Sequence, residues 1–178
     1  MPDKSETRLV EVAINGDIES FGKLCRRYYA ALVAIGYSVL ADHQLAEDAA
    51  QESFARALVN MRNLKDKTRF APWLAAICRN VAKDIVATKA RQVTTEDFSQ
   101  VAQDSNPDES ILIIRRAIEQ LHASAKELIV LRYYNNLSYE EISSVLGISK
   151  ATINGRITRA KRKMAKYLRR HGFSENQL

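Results

Sequence analysis

Apolar residues return every third or fourth position through most of this chain, and the polar breaks between them mark where one helix stops and the next begins. Residues 5 to 14 read as a short helix, followed by a turn at Asn15-Gly16-Asp17. A long helix then carries Phe21, Leu24, Tyr28, Leu32, Ile35 and Val39 on one stripe. Asp42 stands where a third helix needs an acceptor for its unpaired N–H groups, and that helix has the stripe Ala46, Ala50, Phe54, Leu58 and Met61. A basic polar loop over 62–69 leads to Pro72, which suits the first residue of a fourth helix because its missing N–H would have no partner there. The fourth helix runs to about Ala87 and buries Leu74, Ile77, Val81 and Ile85.

From Arg91 to Pro107 the periodicity gives way to Gln, Thr, Ser, Asp and Asn, as in a tether. Beyond it Ile111, Ile114, Ile118 and Leu121 form another stripe, Ser124 and Glu127 read as a capping box, and Leu128, Leu131 and Tyr134 follow. Ser138 and Glu141 form a second capping box, opening a helix that buries Ile142 and Leu146. Gly147 can take the positive φ that ends it, Ile148 can plug the angle, and Ser149 can cap the next helix, with its stripe Ile153, Ile157, Ala160 and Met164. The pattern predicts an all-α fold of two small helical domains. A bundle spans 1–91, a flexible linker 92–107, and a helix-turn-helix domain 108–178.

Charge sharpens the second domain. The 178-residue chain has a net charge of +6, yet between Ser149 and His171 there are nine Lys or Arg and no Asp or Glu. A cationic helix following a capped helix and a Gly turn is the footprint of a polyanion partner, duplex DNA in particular. Six Gly and three Pro leave little punctuation for a many-stranded sheet. Cys25 and Cys78 sit in apolar helical stretches without CxxC spacing, so they read as buried reduced thiols. The N-terminal Met-Pro-Asp-Lys-Ser-Glu lacks the apolar core of a signal peptide, and the run from Ala30 to Ala41 is too short to span a bilayer. A cytoplasmic protein is expected.

The first domain has two charged faces of opposite sign. The third helix turns Glu47, Asp48, Gln51 and Glu52 outward, a pattern that a solvated surface with a Glu52–Arg56 pair also explains. On the fourth helix Arg79, Asn80 and Lys83 lie on the polar face, with Phe70 and Trp73 at its start. Aromatic rings beside cations suit unstacked bases of single-stranded DNA, because every base has a face to stack; Trp73 fits a core role equally well. No nucleophile elbow, glycine-rich phosphate loop, cofactor motif or metal-ligand spacing is found, so neither catalysis, cofactor nor metal is expected.

Three segments together resemble a known family: Ala46-Glu-Asp-Ala-Ala-Gln-Glu-Ser-Phe54, Trp73-Leu-Ala-Ala-Ile-Cys-Arg-Asn80, and Leu137-Ser-Tyr-Glu-Glu-Ile142 with Thr152-Ile-Asn-Gly-Arg-Ile-Thr-Arg-Ala-Lys161. In order and spacing they look like the ECF (extracytoplasmic function) class of sigma-70 family sigma factors. The resemblance implies a non-catalytic subunit that binds core RNA polymerase, directs it to promoters and promotes strand opening in response to a stress or envelope signal. It implies that Glu47, Asp48, Gln51 and Glu52 meet the β′ coiled coil of core polymerase, that the β flap is a further polymerase contact, and that an anti-sigma factor is a partner. It further implies that Asn63, Lys65, Lys67, Trp73, Arg79, Asn80 and Lys83 serve the minus-ten element. Lys150, Thr152, Asn154, Arg156, Arg159, Lys161 and Arg162 would serve the minus-thirty-five element, where Arg, Lys and Asn suit guanine and adenine edges. His122-Ala123 stands where the family usually has a proline, and Gly155 interrupts the recognition helix. Two other classes fit parts of the pattern: a dimeric helix-turn-helix regulator, which leaves the acidic helix unexplained, and a nuclease, for which Asp48 and Glu52 are too few carboxylates.

Overall fold

The computed structural model describes residues 4–93 and 109–173, and the regular structure among them is helical throughout. In the first unit α1 (Lys4–Ile14) and α2 (Ile18–Leu40) are followed by α3 (His43–Asn60) and α4 (Phe70–Val93). Short polar side chains start the helices: Asp17 accepts from the Ser20 N–H at 2.9 Å and Asp42 from the Leu45 N–H at 3.0 Å. The long helices cross closely because their contact residues are small. Ala46, Ala49, Ala50 and Ala57 are wholly buried, and a Cβ on Gly36 would lie 3.1 Å from the backbone of Ala46. Leu58 is 42% exposed, so the expected third-helix stripe is corrected: Ala57, wholly buried, takes the inward position.

The start of α4 also differs from expectation. Asp66 caps a tight turn, Lys67–Arg69, by accepting from the Thr68 N–H at 3.0 Å, and that turn runs straight into α4 at Phe70. Pro72 therefore lies inside the first helical turn, where N–H groups still have no intrahelical acceptor and its ring is tolerated. At its other end α4 continues to Val93, absorbing Arg91 and the first two positions expected in the linker. The rest of the expected linker, 94–107, lies outside the described residues.

The second unit comprises α5 (Glu109–Glu119), α6 (Ala123–Ile129), a wide π turn (Val130–Tyr134), α7 (Tyr139–Leu146) and α8 (Lys150–Arg170). On α5 the inward residue is Ala117; Ile111 and Ile114 are 46% and 37% exposed, against the predicted stripe. The capping box expected at Ser124 and Glu127 does not form. His122 caps α6 instead, its Nδ1 accepting from the Ser124 N–H at 3.4 Å. Tyr134 is exposed rather than core, and its ring stacks on Tyr37 of α2.

The two units share one continuous apolar core, with α2 packed against α6 and the π turn and α4 against α7. Polar contacts register the join. Arg79 on α4 donates to Glu127 on α6 at 2.9 Å, and the Asn135 side-chain amide donates to the Ala30 carbonyl at 3.1 Å. Tyr37 and Tyr134 stack with centroids 5.1 Å apart. No helix among the described residues is long and apolar enough to cross a membrane.

Candidate functional site

In the helix-turn-helix, local chemistry and structure agree. Ser138 accepts from the Glu141 N–H at 3.2 Å while the Glu141 carboxylate accepts from the Ser138 N–H at 2.7 Å. The bond from the Ser138 backbone holds the Glu141 carboxyl below its ordinary range. Gly147 ends α7 at φ 66°, and Ser149 caps α8 through the Thr152 N–H at 3.2 Å. Ile153, Ile157, Ala160 and Leu168 are buried and Met164 partly so, which pins one face of α8 and leaves Arg159, Lys161 and Arg162 exposed. Lys150 lies 2.6 Å from the Glu140 carboxylate. Asn154 accepts from the Tyr139 hydroxyl at 3.5 Å, and the Thr152 hydroxyl meets that of Ser149 at 2.8 Å. Arg156 stands on the flank of α8 that faces the first unit. Gly155 faces open space: a Cβ there would meet only the Arg159 guanidinium, at 4.0 Å.

In the first unit the residues of the basic set fall into two places. Asn63, Lys65 and Trp73 border one depression of about 440 Å³, with Asp66 and Arg69 on its rim. Trp73 is half-buried, its ring tilted against the fully buried Phe70 at 5.9 Å, so it combines the core role and the exposed face that the sequence left open. Lys67 is half-buried on the preceding turn. Farther along α4, Asn80 and Lys83 are exposed, whereas Arg79 is held by Glu127.

The acidic face of α3 projects from the opposite chemistry. Asp48, Gln51 and Glu52 are exposed; Glu47 is half-buried, with the Tyr29 hydroxyl donating to it at 3.4 Å. Arg56 bridges Glu52 at 2.7 Å and Asp84 on α4 at 3.3 Å, so the expected intrahelical pair is present and extended. A shallow hollow lined by Cys25, Tyr29, Gln51 and Phe54 adjoins this face. Burial raises the Cys25 thiol and pushes that of Cys78 up to about 11, so both thiols stay protonated and are poor nucleophiles.

Family models match both units: sigma-70 region 2 over residues 24–92 and sigma-70 region 4 over residues 111–164. The ECF RNA polymerase sigma factor SigW of Bacillus subtilis is 30% identical over 171 residues, covering 86% of this chain and 91% of that protein. The chain belongs to the ECF sigma factors. The RNA polymerase sigma-H factor of Pseudomonas aeruginosa is 28% identical over 185 residues, covering 94% of this chain and 96% of that protein. Among solved structures, CnrH in complex with the cytosolic domain of CnrY has the same fold, with a TM-score of 0.60, 24% identity, and coverage of 93% of this chain and 97% of that one. So has the sigma factor RpoE bound to the anti-sigma factor NepR from Bartonella quintana, with a TM-score of 0.54, 23% identity, and coverage of 85% and 98%.

In this ECF sigma factor some of the cations border a cleft between the two units. Arg79 and Lys83 of α4 and Arg156 of α8 line a single cleft of about 590 Å³, together with Lys126 and Glu127 of α6. Sequence reasoning did not single out Lys126 or the inward role of Glu127. The Ser-x-x-Glu pattern assigned Glu127 to a helix start, and the cation that claims it lies 48 positions away. Burial raises the Glu127 carboxyl above its ordinary value, with Arg79 opposing that rise.

Proposed function

We propose that this sigma factor binds core RNA polymerase and recognises promoters through separate surfaces of the described fold. The outward face of α3, with Glu47, Asp48, Gln51 and Glu52, meets the β′ coiled coil of core RNA polymerase, and the second unit meets the β flap. The depression at Asn63, Lys65 and Trp73, with Lys67 on the adjoining turn, holds unstacked bases of the minus-ten element, because a half-exposed indole beside cations stacks bases without regard to sequence. Arg79, Asn80 and Lys83 extend that contact along α4. Lys150, Thr152, Asn154, Arg156, Arg159, Lys161 and Arg162 serve the minus-thirty-five element in the major groove.

The observation that carries this reading is the partition of α8: its apolar stripe is sealed into the domain while Arg159, Lys161 and Arg162 stay outside. Arg79 is engaged by Glu127 and Arg156 faces α4, so full DNA contact requires the two units to part. An anti-sigma factor is the partner expected to oppose that parting, since two solved relatives of the same fold are bound to CnrY and to the anti-sigma factor NepR.

Run-off transcription with core RNA polymerase on the chain's own upstream region tests the reading. Specific initiation that depends on the wild type and is lost in the double variant Asp48→Arg, Glu52→Arg supports it. Binding to that DNA without core enzyme, and no initiation with it, would make the chain a stand-alone regulator.

A further inference from the structure

The cleft between the two units is lined by four Lys or Arg side chains and one carboxylate, and that carboxylate, Glu127, is already paired with Arg79. Lys83, Lys126 and Arg156 form no ion pair among the described residues. They come from three different helices, α4, α6 and α8, so only the tertiary fold gathers them. Lys126 and Arg156 are half-buried and Lys83 stands exposed at the cleft's edge, so a counter-charge entering the cleft would meet all three. Beside the cations one part of the lining is apolar, with Val39, Leu121, Leu146 and Ile148, and Ser38, His122 and Ser124 add polar groups to the rest.

We infer that this cleft binds a nucleoside polyphosphate, its phosphates on Lys83, Lys126 and Arg156 and its base against the apolar wall. Three cations call for several negative charges on one small molecule. The apolar wall calls for a flat, weakly hydrated group attached to it, and the volume lies within the range of small-molecule sites, about 300–1,000 Å³. Because both units supply the walls, the ligand binds only their joined arrangement and favours it over any parted one. The binding step stands on the cleft alone. Its consequence for promoter contact rests on the functional reading above, since the same ligand would cover Lys83 and Arg156.

Calorimetric titration of the full chain with adenosine triphosphate, without polymerase or DNA, separates the two. The probe is expected to bind, and Lys126→Glu to weaken it on the order of tenfold or more, while Lys23→Glu, the same charge change on α2 outside the cleft, leaves affinity within about twofold. Lys126→Gln, a milder change, should fall between Lys126→Glu and wild type, so the result does not hang on one variant's folding. Inorganic triphosphate should bind on the order of tenfold more weakly than the nucleotide, because it leaves the apolar wall uncovered. Equal weakening by Lys126→Glu and Lys23→Glu would reduce the effect to general charge attraction and overturn the site. Equal affinity for inorganic triphosphate would overturn the nucleotide assignment.

Discussion

The segments Ser124-Ala-Lys-Glu127 and Ser138-Tyr-Glu-Glu141 share the pattern Ser-x-x-Glu, and both stand near the start of a helix. In the second, hydroxyl and carboxylate satisfy each other's backbone donors, and the structure is what the pattern prescribes. In the first, His122 takes the cap and Glu127 turns into the join between the two units, where it is 8% exposed and meets Arg79. The difference is the neighbour. Glu141 is solvated and has nothing to gain from leaving the helix start, while Glu127 lies under α4, where an arginine offers a charge-assisted bond that water would otherwise supply. A short-range rule therefore holds at the surface and yields where a long-range partner is within reach.

The most disruptive way to break this contrast is to remove the partner. Arg79→Ala leaves a buried carboxyl without its cation and should lower stability by about 3 kcal/mol, whereas Glu127→Ala leaves an arginine that can turn toward the cleft and should lose only about 1 to 2 kcal/mol. Urea unfolding of both variants reads the asymmetry, and equal losses would show that Arg79 is as enclosed as Glu127. Two glycines offer the next comparison. Gly147 has φ 66° and its added Cβ would come within 2.9 Å of the Pro72 ring across the join, while Gly155 is helical and faces open space. Gly147→Ala should cost about 2 kcal/mol, and Gly155→Ala should stabilise by up to about 1 kcal/mol. Thermal melting with opposite signs for the two confirms that one glycine is required by the fold and the other is not.

Smaller effects sharpen the contrast between the two Ser-x-x-Glu segments. Ser138→Ala should lose about 1 kcal/mol by opening the capping box, and Ser124→Ala should stay within about 0.5 kcal/mol. Matching losses in chemical denaturation would mean that Ser124 caps after all. The pH dependence reports Glu127 itself. Its carboxyl is raised in the folded state because burial outweighs Arg79, so its contribution is fullest below the ordinary carboxylate range and is lost as pH rises through the raised value. Against Glu127→Gln, which does not titrate, the wild type should therefore lose relative stability as pH climbs above the ordinary carboxylate range. Midpoints that diverge the other way would place the attraction of Arg79 ahead of burial.

The sequence by itself determined the helices, most of their buried faces and the caps at Asp42, Ser138, Gly147 and Ser149. Each depends on residues three or four apart, and that spacing is written in the chain. It also carried the family resemblance, because the three motifs are contiguous runs. Only the tertiary structure decided that Ala57 rather than Leu58 packs inward, since that turns on which neighbouring helices the face of α3 meets. The path of Glu127, the stacking of Tyr134 on Tyr37 and the gathering of Lys83, Lys126 and Arg156 were likewise invisible in the chain. Local periodicity can say which face of a helix is apolar. It cannot say which other helix that face will meet, and the pairings that register the two units join residues far apart in sequence.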